Sequence, residues 1–328
     1  MHFLKLIRPI NLVIIALTMY SVRFFYFVLA GAHSSNSAER FDFFLLVFST
    51  VLIAAGGNII NDYFDVRADR INRPERLIIT KYIKRRWAII SHWILNFLAF
   101  SIAIYLSMRY HTLWYVFVHL VTINSLWFYS MYFKRKPLIG NILIAGMTAL
   151  VPILCGIHFY FQIEFPKEEM NVFPTVDSLE DTIDVWKNFL LINGRFIYLL
   201  AYFAFTFNLS REIIKDIEDM EGDKLIYAKT LPLTVGIKKS LWIAIFILLS
   251  APIFFTLFFF IQVQKDLVFH ILALLPLGIS SILNLISIAY LLKKDVEKQT
   301  LKKADLFIKI AMLSGVLIPF YWWFLLMY

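Results

Sequence analysis

Residues 41–74 read FDFFLLVFSTVLIAAGGNIINDYFDVRADRINRP, and this stretch decides the fold. Its first part, Phe41 to Ile60, is mostly apolar, whereas the part that follows is crowded with acids, arginines and amides. A helix needs about 20 predominantly apolar residues to cross the hydrocarbon core of a bilayer. The stretch therefore predicts a membrane-spanning helix that delivers a polar motif to the membrane surface.

Further apolar stretches of this length recur along the chain, and the whole sequence is 60% hydrophobic with a mean hydropathy of +0.72. Soluble domains are only about 45–50% apolar. We therefore expect an all-α polytopic membrane protein with one domain, residues 1–328, and nine transmembrane helices. The predicted spans are Ile10 to Ala30, Phe41 to Ile60, Trp87 to Leu106, Leu113 to Phe133, Leu138 to Phe161, Phe196 to Ile214, Leu241 to Val263, Val268 to Leu292 and Leu306 to Met327.

The first span begins after Lys5 and Arg8, as the apolar part of a signal peptide does. It is longer than the 7–15 residues typical of that part, and it contains Arg23, so we expect a retained transmembrane helix.

The net charge of +9 is distributed by loop. Lysines and arginines concentrate in alternate connections, whereas residues 164–193 form a long acidic loop. This distribution follows the positive-inside rule. It predicts a cytoplasmic N-terminus, cytoplasmic basic loops, an extracytoplasmic acidic loop and an outside C-terminus. Anionic lipids or phosphate-bearing substrates are the expected partners of the cations, and nucleic acid is not expected.

Two acidic motifs follow predicted spans on the cytoplasmic side. In the first, Asn61, Asp65 and Asp69 recur every four residues, so a helix that continued past Ile60 would present them on one face, with Asp62 pointing elsewhere. The second, residues 211–223, reads REIIKDIEDMEGD, and one helical stripe would contain its Asp216, Asp219 and Asp223.

Either motif alone could be a solvated, charged helix end, but two such clusters on the same membrane side predict a shared site. Mg²⁺ binds one or two carboxylates together with substrate phosphate oxygens, so facing acidic clusters suit a metal-bound diphosphate. A calcium hand is not indicated, because no loop has its pattern of Asp, Gly and closing Glu.

These motifs resemble those of the UbiA prenyltransferase superfamily. The resemblance rests on Asn61-Asp62-x-x-Asp65-x-x-x-Asp69 and on Asp219-x-x-Gly222-Asp223. Four strings extend it toward the digeranylgeranylglyceryl phosphate synthase branch: Arg8-Pro9-x-Asn11, residues 61–74, Gly140-Asn141, and residues 211–232. The chain departs from that branch at Leu77 and in the turn Thr80 to Lys84.

The resemblance implies a UbiA-like helical bundle with an active-site cavity on the cytoplasmic side. It also implies transfer of a prenyl group from an allylic diphosphate, geranylgeranyl diphosphate in this branch, to a prenylglycerol phosphate hydroxyl, with Mg²⁺ as cofactor and an ether lipid as product. Asp65, Asp69, Asp219 and Asp223 are the expected catalytic metal ligands, with Asn61, Asp62 and Asp216 as further candidates. The expected diphosphate-binding residues are Asn61, Arg8, Arg70, Arg73, Tyr129, Lys134, Arg211 and Lys215.

Three alternatives stay open at the level of sequence. A UbiA-type enzyme acting on an aromatic quinone precursor or a tetrapyrrole would keep both acidic motifs. An ion-coupled transporter would use intramembrane acids, but here the acids lie at span ends and no broken half-helices repeat. A structural scaffold would leave the paired motifs without a purpose.

Overall fold

The computed structural model describes residues 2–29, 37–72, 74–164, 195–262, 267–293 and 297–327, and apart from one isolated bridge between Ile79 and Ile83 their regular structure is helical. The predicted acidic loop, beyond Glu164, and Arg73 lie outside these residues. The helices are α1 (His2–Leu6), α2 (Pro9–Leu29), α3 (Ser37–Asn72), α4 (Arg85–Arg109), α5 (Trp114–Met131), α6 (Ile139–Glu164), α7 (Arg195–Glu218), α8 (Met220–Leu225), α9 (Leu231–Val235), α10 (Ile237–Gln262), α11 (Leu267–Leu291) and α12 (Lys298–Met327).

The described residues include four helical segments that are long and apolar enough to cross a membrane. They are Ala38–Asn72, Arg85–Arg109, Ile139–Phe159 and Ile237–Phe254, and shorter apolar segments cover Pro9–Phe24 and Leu275–Leu291. The all-α membrane architecture is thereby confirmed. The number of nine spans and the orientation of the termini stay predictions.

Helix α3 is longer than its predicted span. Its 36 residues correspond to about 54 Å at 1.5 Å per residue, whereas the hydrocarbon core is only about 30 Å thick. The helix therefore continues past Ile60 and carries the whole first motif on its last turns, as the four-residue spacing required.

The second motif is not the single continuous helix on which the stripe of Asp216, Asp219 and Asp223 was predicted. Helix α7 ends at Glu218, and α8 begins at Met220. In an uninterrupted helix the N–H of Gly222 would donate to the carbonyl of residue 218, but here it donates to Oδ1 of Asn72 (2.9 Å). A side chain inserted into the helical hydrogen-bond ladder breaks the helix at this point.

Two groups of buried side chains hold the bundle together. One joins α7, α10 and α12 through residues such as Ile213, Leu248 and Ile308. The other joins α2, α3, α5 and α6, and includes Phe43, Tyr115 and other large side chains. Along their lengths α3 packs on α4, α6 on α7, and α11 on α12. Burial of apolar surface in these contacts fixes the relative position of the helix ends.

The connections that contain the polar motifs meet at one end of the bundle. The backbone N–H of Lys229, in the connection between α8 and α9, donates to the carbonyl of Arg135, between α5 and α6 (2.8 Å). Asn72, at the end of α3, donates to the carbonyl of Asp219 (3.1 Å). The ends of α3, α5 and α7 and the beginning of α6 therefore enclose a common site.

Candidate active site

Lys134 lies at the centre of the site, in the short 3-10 turn that follows α5. Its ammonium group forms a short hydrogen-bonded ion pair with Asp65 and lies 3.4 Å from Oδ1 of Asn61. The amide nitrogen of Asn61 in turn donates to Oδ2 of Asp65 (2.9 Å). One face of α3 thus presents an amide, a carboxylate and a bound cation as a connected group.

Glycine at position 140 permits the position of Lys134. A Cβ added to Gly140 would lie 2.8 Å from the carbonyl oxygen of Phe133 and 3.0 Å from the Cα of Lys134. Real Cβ atoms essentially never approach another heavy atom more closely than 3.0 Å. The absence of a side chain therefore lets α6 begin directly against the turn that holds the lysine.

The second motif reaches the same cation from α7 and α8. Nδ2 of Asn141 donates to Oδ2 of Asp216 (2.8 Å), which fixes that carboxylate beside the start of α6. Asp223 is only 9% exposed, and Lys134, Asp219 and Asp65 all act on it electrostatically. The two acidic motifs, far apart in the sequence, therefore converge around one ammonium group.

The electrostatics of the cluster favour an additional cation. Burial, reinforced by the Asp219 and Asp65 carboxylates and opposed by Lys134, raises the pKa of Asp223 to about 6. Burial would lower the pKa of Lys134, but the Asp65 carboxylate outweighs it, and the net effect is a raised pKa. Lys134 therefore stays charged at neutral pH, but its single positive charge does not neutralise all of the surrounding carboxylates. A further positive charge nearby would favour the ionised form of Asp223.

The donor groups suit Mg²⁺ bound with a substrate. In the part of the chain that the structure describes, no three acidic, histidine or cysteine side chains form a single metal-binding group. Mg²⁺ does not need such a group, since it takes one or two carboxylates and completes its shell with waters and phosphate oxygens. Carboxylates divided between two helix ends match that requirement.

Besides Lys134, three of the predicted diphosphate-binding cations are paired with carboxylates. Arg8 pairs with Asp62 on α3. The other two pairs are Arg211 with Asp305 of α12 (2.8 Å) and Lys215 with Glu212 (2.6 Å). Arg70 is exposed on the surface. The structure gathers Asn61, Asp65 and Lys134, while a role for these other cations stays a prediction.

Aromatic side chains approach the first motif from the bundle. Tyr129 is buried on α5, where Lys134 and Asp216 act on it electrostatically. Phe64 packs edge-on against Trp127, with ring centroids 5.9 Å apart. Aromatic rings therefore lie beside the first motif.

No role was predicted for Asn72, Gly140, Asn141 or Asp305. The first three were visible, because each lies in a string that supports the family resemblance, but nothing in those strings indicated their contacts. Asp305 is 94 residues from Arg211 and belongs to no motif.

The model of the UbiA prenyltransferase family matches residues 19–313. The chain is also similar to the digeranylgeranylglyceryl phosphate synthase of Thermococcus gammatolerans, with 30% identity over 315 residues that cover 96% of this chain and 95% of that protein. It is similar to the enzyme of the same name from Methanosarcina mazei, with 31% identity over 89% of each chain.

Two solved structures have a similar fold. One comes from work on digeranylgeranylglyceryl phosphate synthase in membranes, with a TM-score of 0.62, 25% sequence identity, and coverage of 97% of this chain and 96% of that chain. The other is a UbiA homolog from Archaeoglobus fulgidus bound to DMAPP and Mg²⁺, with a TM-score of 0.51 and 16% identity, covering 97% of this chain and 99% of that chain. At that identity the second structure shows a shared fold alone.

Proposed function

This chain belongs to the UbiA prenyltransferase family, and on that premise we propose that it transfers a prenyl group from an allylic diphosphate to the hydroxyl of a prenylglycerol phosphate. Geranylgeranyl diphosphate is the proposed donor and an ether lipid the product. Residues 1–328 act as one catalytic domain, with the acidic cluster on the cytoplasmic side of the membrane.

The observation that supports this proposal best is the position of Lys134 between the two acidic motifs. Its ammonium group bonds to Asp65 of the first motif and acts on Asp223 of the second. A diphosphate needs both a direct cationic contact and metal ions held by acids. The cluster offers both at one place.

We assign the metal-binding role to Asp65, Asp69, Asp219 and Asp223, with the amide of Asn61 as an additional oxygen donor. Mg²⁺ bound there would neutralise the negative charge that develops on the departing pyrophosphate. Asp62 and Asp216 are bonded to Arg8 and Asn141, so we place them around the ligands rather than among them.

The chain's own residues then bind and orient the donor. The Lys134 ammonium donates hydrogen bonds to the diphosphate and stabilises it as the bond between C1 and oxygen breaks, with the electron pair leaving on the pyrophosphate. Phe64 and Trp127 exclude water and offer π-faces to the resulting allylic cation. The acceptor hydroxyl oxygen bonds to C1 and releases its proton.

The acceptor is proposed from the relatives. Those reported above are named digeranylgeranylglyceryl phosphate synthase and match most of this chain. An aromatic quinone precursor is the competing acceptor within the same family.

The test uses the purified full chain in nanodiscs with Mg²⁺ and geranylgeranyl diphosphate. Geranylgeranylglyceryl phosphate, dihydroxynaphthoate and hydroxybenzoate are supplied in separate reactions, and products are identified by mass spectrometry. We expect transfer to the glycerol phosphate lipid, and loss of all transfer when EDTA removes Mg²⁺. Transfer to an aromatic acceptor alone would overturn the acceptor assignment, and no transfer to any acceptor would overturn prenyl transfer itself.

A further inference from the structure

The side chain of Asn72 connects the two acidic motifs. It stands at the end of α3, after the first motif. In the hydrogen bonds described for it, its partners are backbone groups of the second motif. Nδ2 donates to the carbonyl of Asp219 (3.1 Å), and Oδ1 accepts the N–H of Gly222 (2.9 Å). These partners are 147 and 150 residues away in the sequence. One carboxamide therefore uses a donor and an acceptor to hold a distant turn.

The turn is shaped around this side chain. A Cβ on Gly222 would lie 2.4 Å from Nδ2 of Asn72, far inside ordinary contact. The backbone at Gly222 does not have the positive φ that would itself favour glycine. The glycine is therefore explained by the space that the Asn72 amide occupies.

We propose that Asn72 is a positioning residue of the active site, which sets the second acidic motif at the distance and orientation needed to share one metal-bound diphosphate with the first. This inference rests on the proposed function and extends it to a residue that does not touch the substrate. Both polar ends of the Asn72 side chain are engaged with the turn, so its effect on the substrate passes through Asp219 and Asp223.

The physical reason is the helix break. Successive residues of an α-helix turn by about 100°, so the direction of the Asp223 side chain depends on how α8 follows α7. By taking the N–H of Gly222, Asn72 ends the α7 ladder and fixes where α8 begins. Without it, the carboxylates of Asp219 and Asp223 would lose the orientation that this break fixes.

The experiment measures binding of inorganic pyrophosphate in the presence of Mg²⁺ to the full chain in detergent, by calorimetry, together with KM for donor and acceptor. The variants are Asn72→Ala and Asn72→Asp, and the control is Asn124→Ala. Nδ2 of Asn124 bonds within its own helix, to the carbonyl of Leu120 (2.8 Å). Asn72→Asp keeps an acceptor for the Gly222 N–H but removes the donor to Asp219.

We expect Asn72→Ala to weaken Mg²⁺–pyrophosphate binding about tenfold or more. Displacing groups in an active site by 1 Å can lower the reaction rate about a hundredfold, and the same misplaced carboxylates would hold the metal-bound pyrophosphate less well. Asn72→Asp should fall between Asn72→Ala and the wild type, and Asn124→Ala should match the wild type. KM for the acceptor should not change. A merely structural role would instead lower thermal stability and leave pyrophosphate affinity intact in the folded fraction.

A double-mutant cycle with Gly222→Ala tests the contact itself. Gly222→Ala should weaken pyrophosphate binding in the wild-type background and have little further effect in the Asn72→Ala background, because the clash is then gone. Equal effects of Gly222→Ala in both backgrounds would overturn the proposal. Wild-type pyrophosphate affinity in Asn72→Ala would also overturn it. If Asn72→Ala does not fold, wild-type affinity in Asn72→Asp would do so. If the wild type itself does not bind Mg²⁺–pyrophosphate, the proposed function fails first.

Discussion

Replacing Gly140 with alanine should displace Lys134 while leaving the fold intact. The added Cβ would meet the Phe133 carbonyl oxygen at 2.8 Å, whereas ordinary contact begins at 3.4 Å. The backbone that carries the lysine must therefore move by about 0.6 Å. Since a 1 Å misplacement can cost about a hundredfold in rate, we expect kcat/KM for the donor to fall about tenfold.

The matched control lies in the same helix. Gly146 has no neighbour within 4 Å of its Cβ position, so Gly146→Ala should keep the wild-type rate and gain up to about 1 kcal/mol from reduced chain entropy. Initial rates at varied donor concentration and thermal unfolding in detergent would separate the two variants. Wild-type donor kinetics in Gly140→Ala, or equal losses in both variants, would refute the positioning of Lys134 by this contact.

Four further substitutions test the cluster. Lys134→Gln should lower kcat/KM for the donor about 10²–10³-fold, the loss typical of removing one donor to a developing oxyanion, and a donor titration would measure it. Asp65→Ala and Asp223→Ala should each abolish turnover in protein that still inserts and elutes as a single species; retained activity would remove that carboxylate from the metal site. Asn141→Ala should destabilise the protein by about 1–3 kcal/mol in thermal unfolding, because it leaves the Asp216 carboxylate buried without its donor.

The fold could be predicted because membrane helices have a simple sequence signal. Trp87 to Leu106 was predicted as a span, and the helix covers Arg85–Arg109. Hydropathy alone, however, does not show where a helix ends. Apolar character stops at Ile60, but α3 continues to Asn72, as the four-residue spacing of Asn61, Asp65 and Asp69 indicated.

The pairing of cations could not be predicted, because it depends on which helices become neighbours. Arg211 and Lys215 lie in the second acidic motif, and Arg8 lies in the string before the first span, so all three were predicted to bind the diphosphate. In the structure Arg211 is held by Asp305, which arrives from the last helix. Lys134, in contrast, was indicated only through the family resemblance, and packing makes it the point where the motifs meet.

The reason for a glycine at position 222 could not be predicted from its own motif. Its backbone does not require glycine, because the φ of Gly222 is not positive, in contrast to that of Gly236. Its necessity arises from the side chain of Asn72, which comes from the other motif. The two aspartate motifs are therefore coupled by sterics as well as by charge, so a change in one should alter the permitted residues of the other.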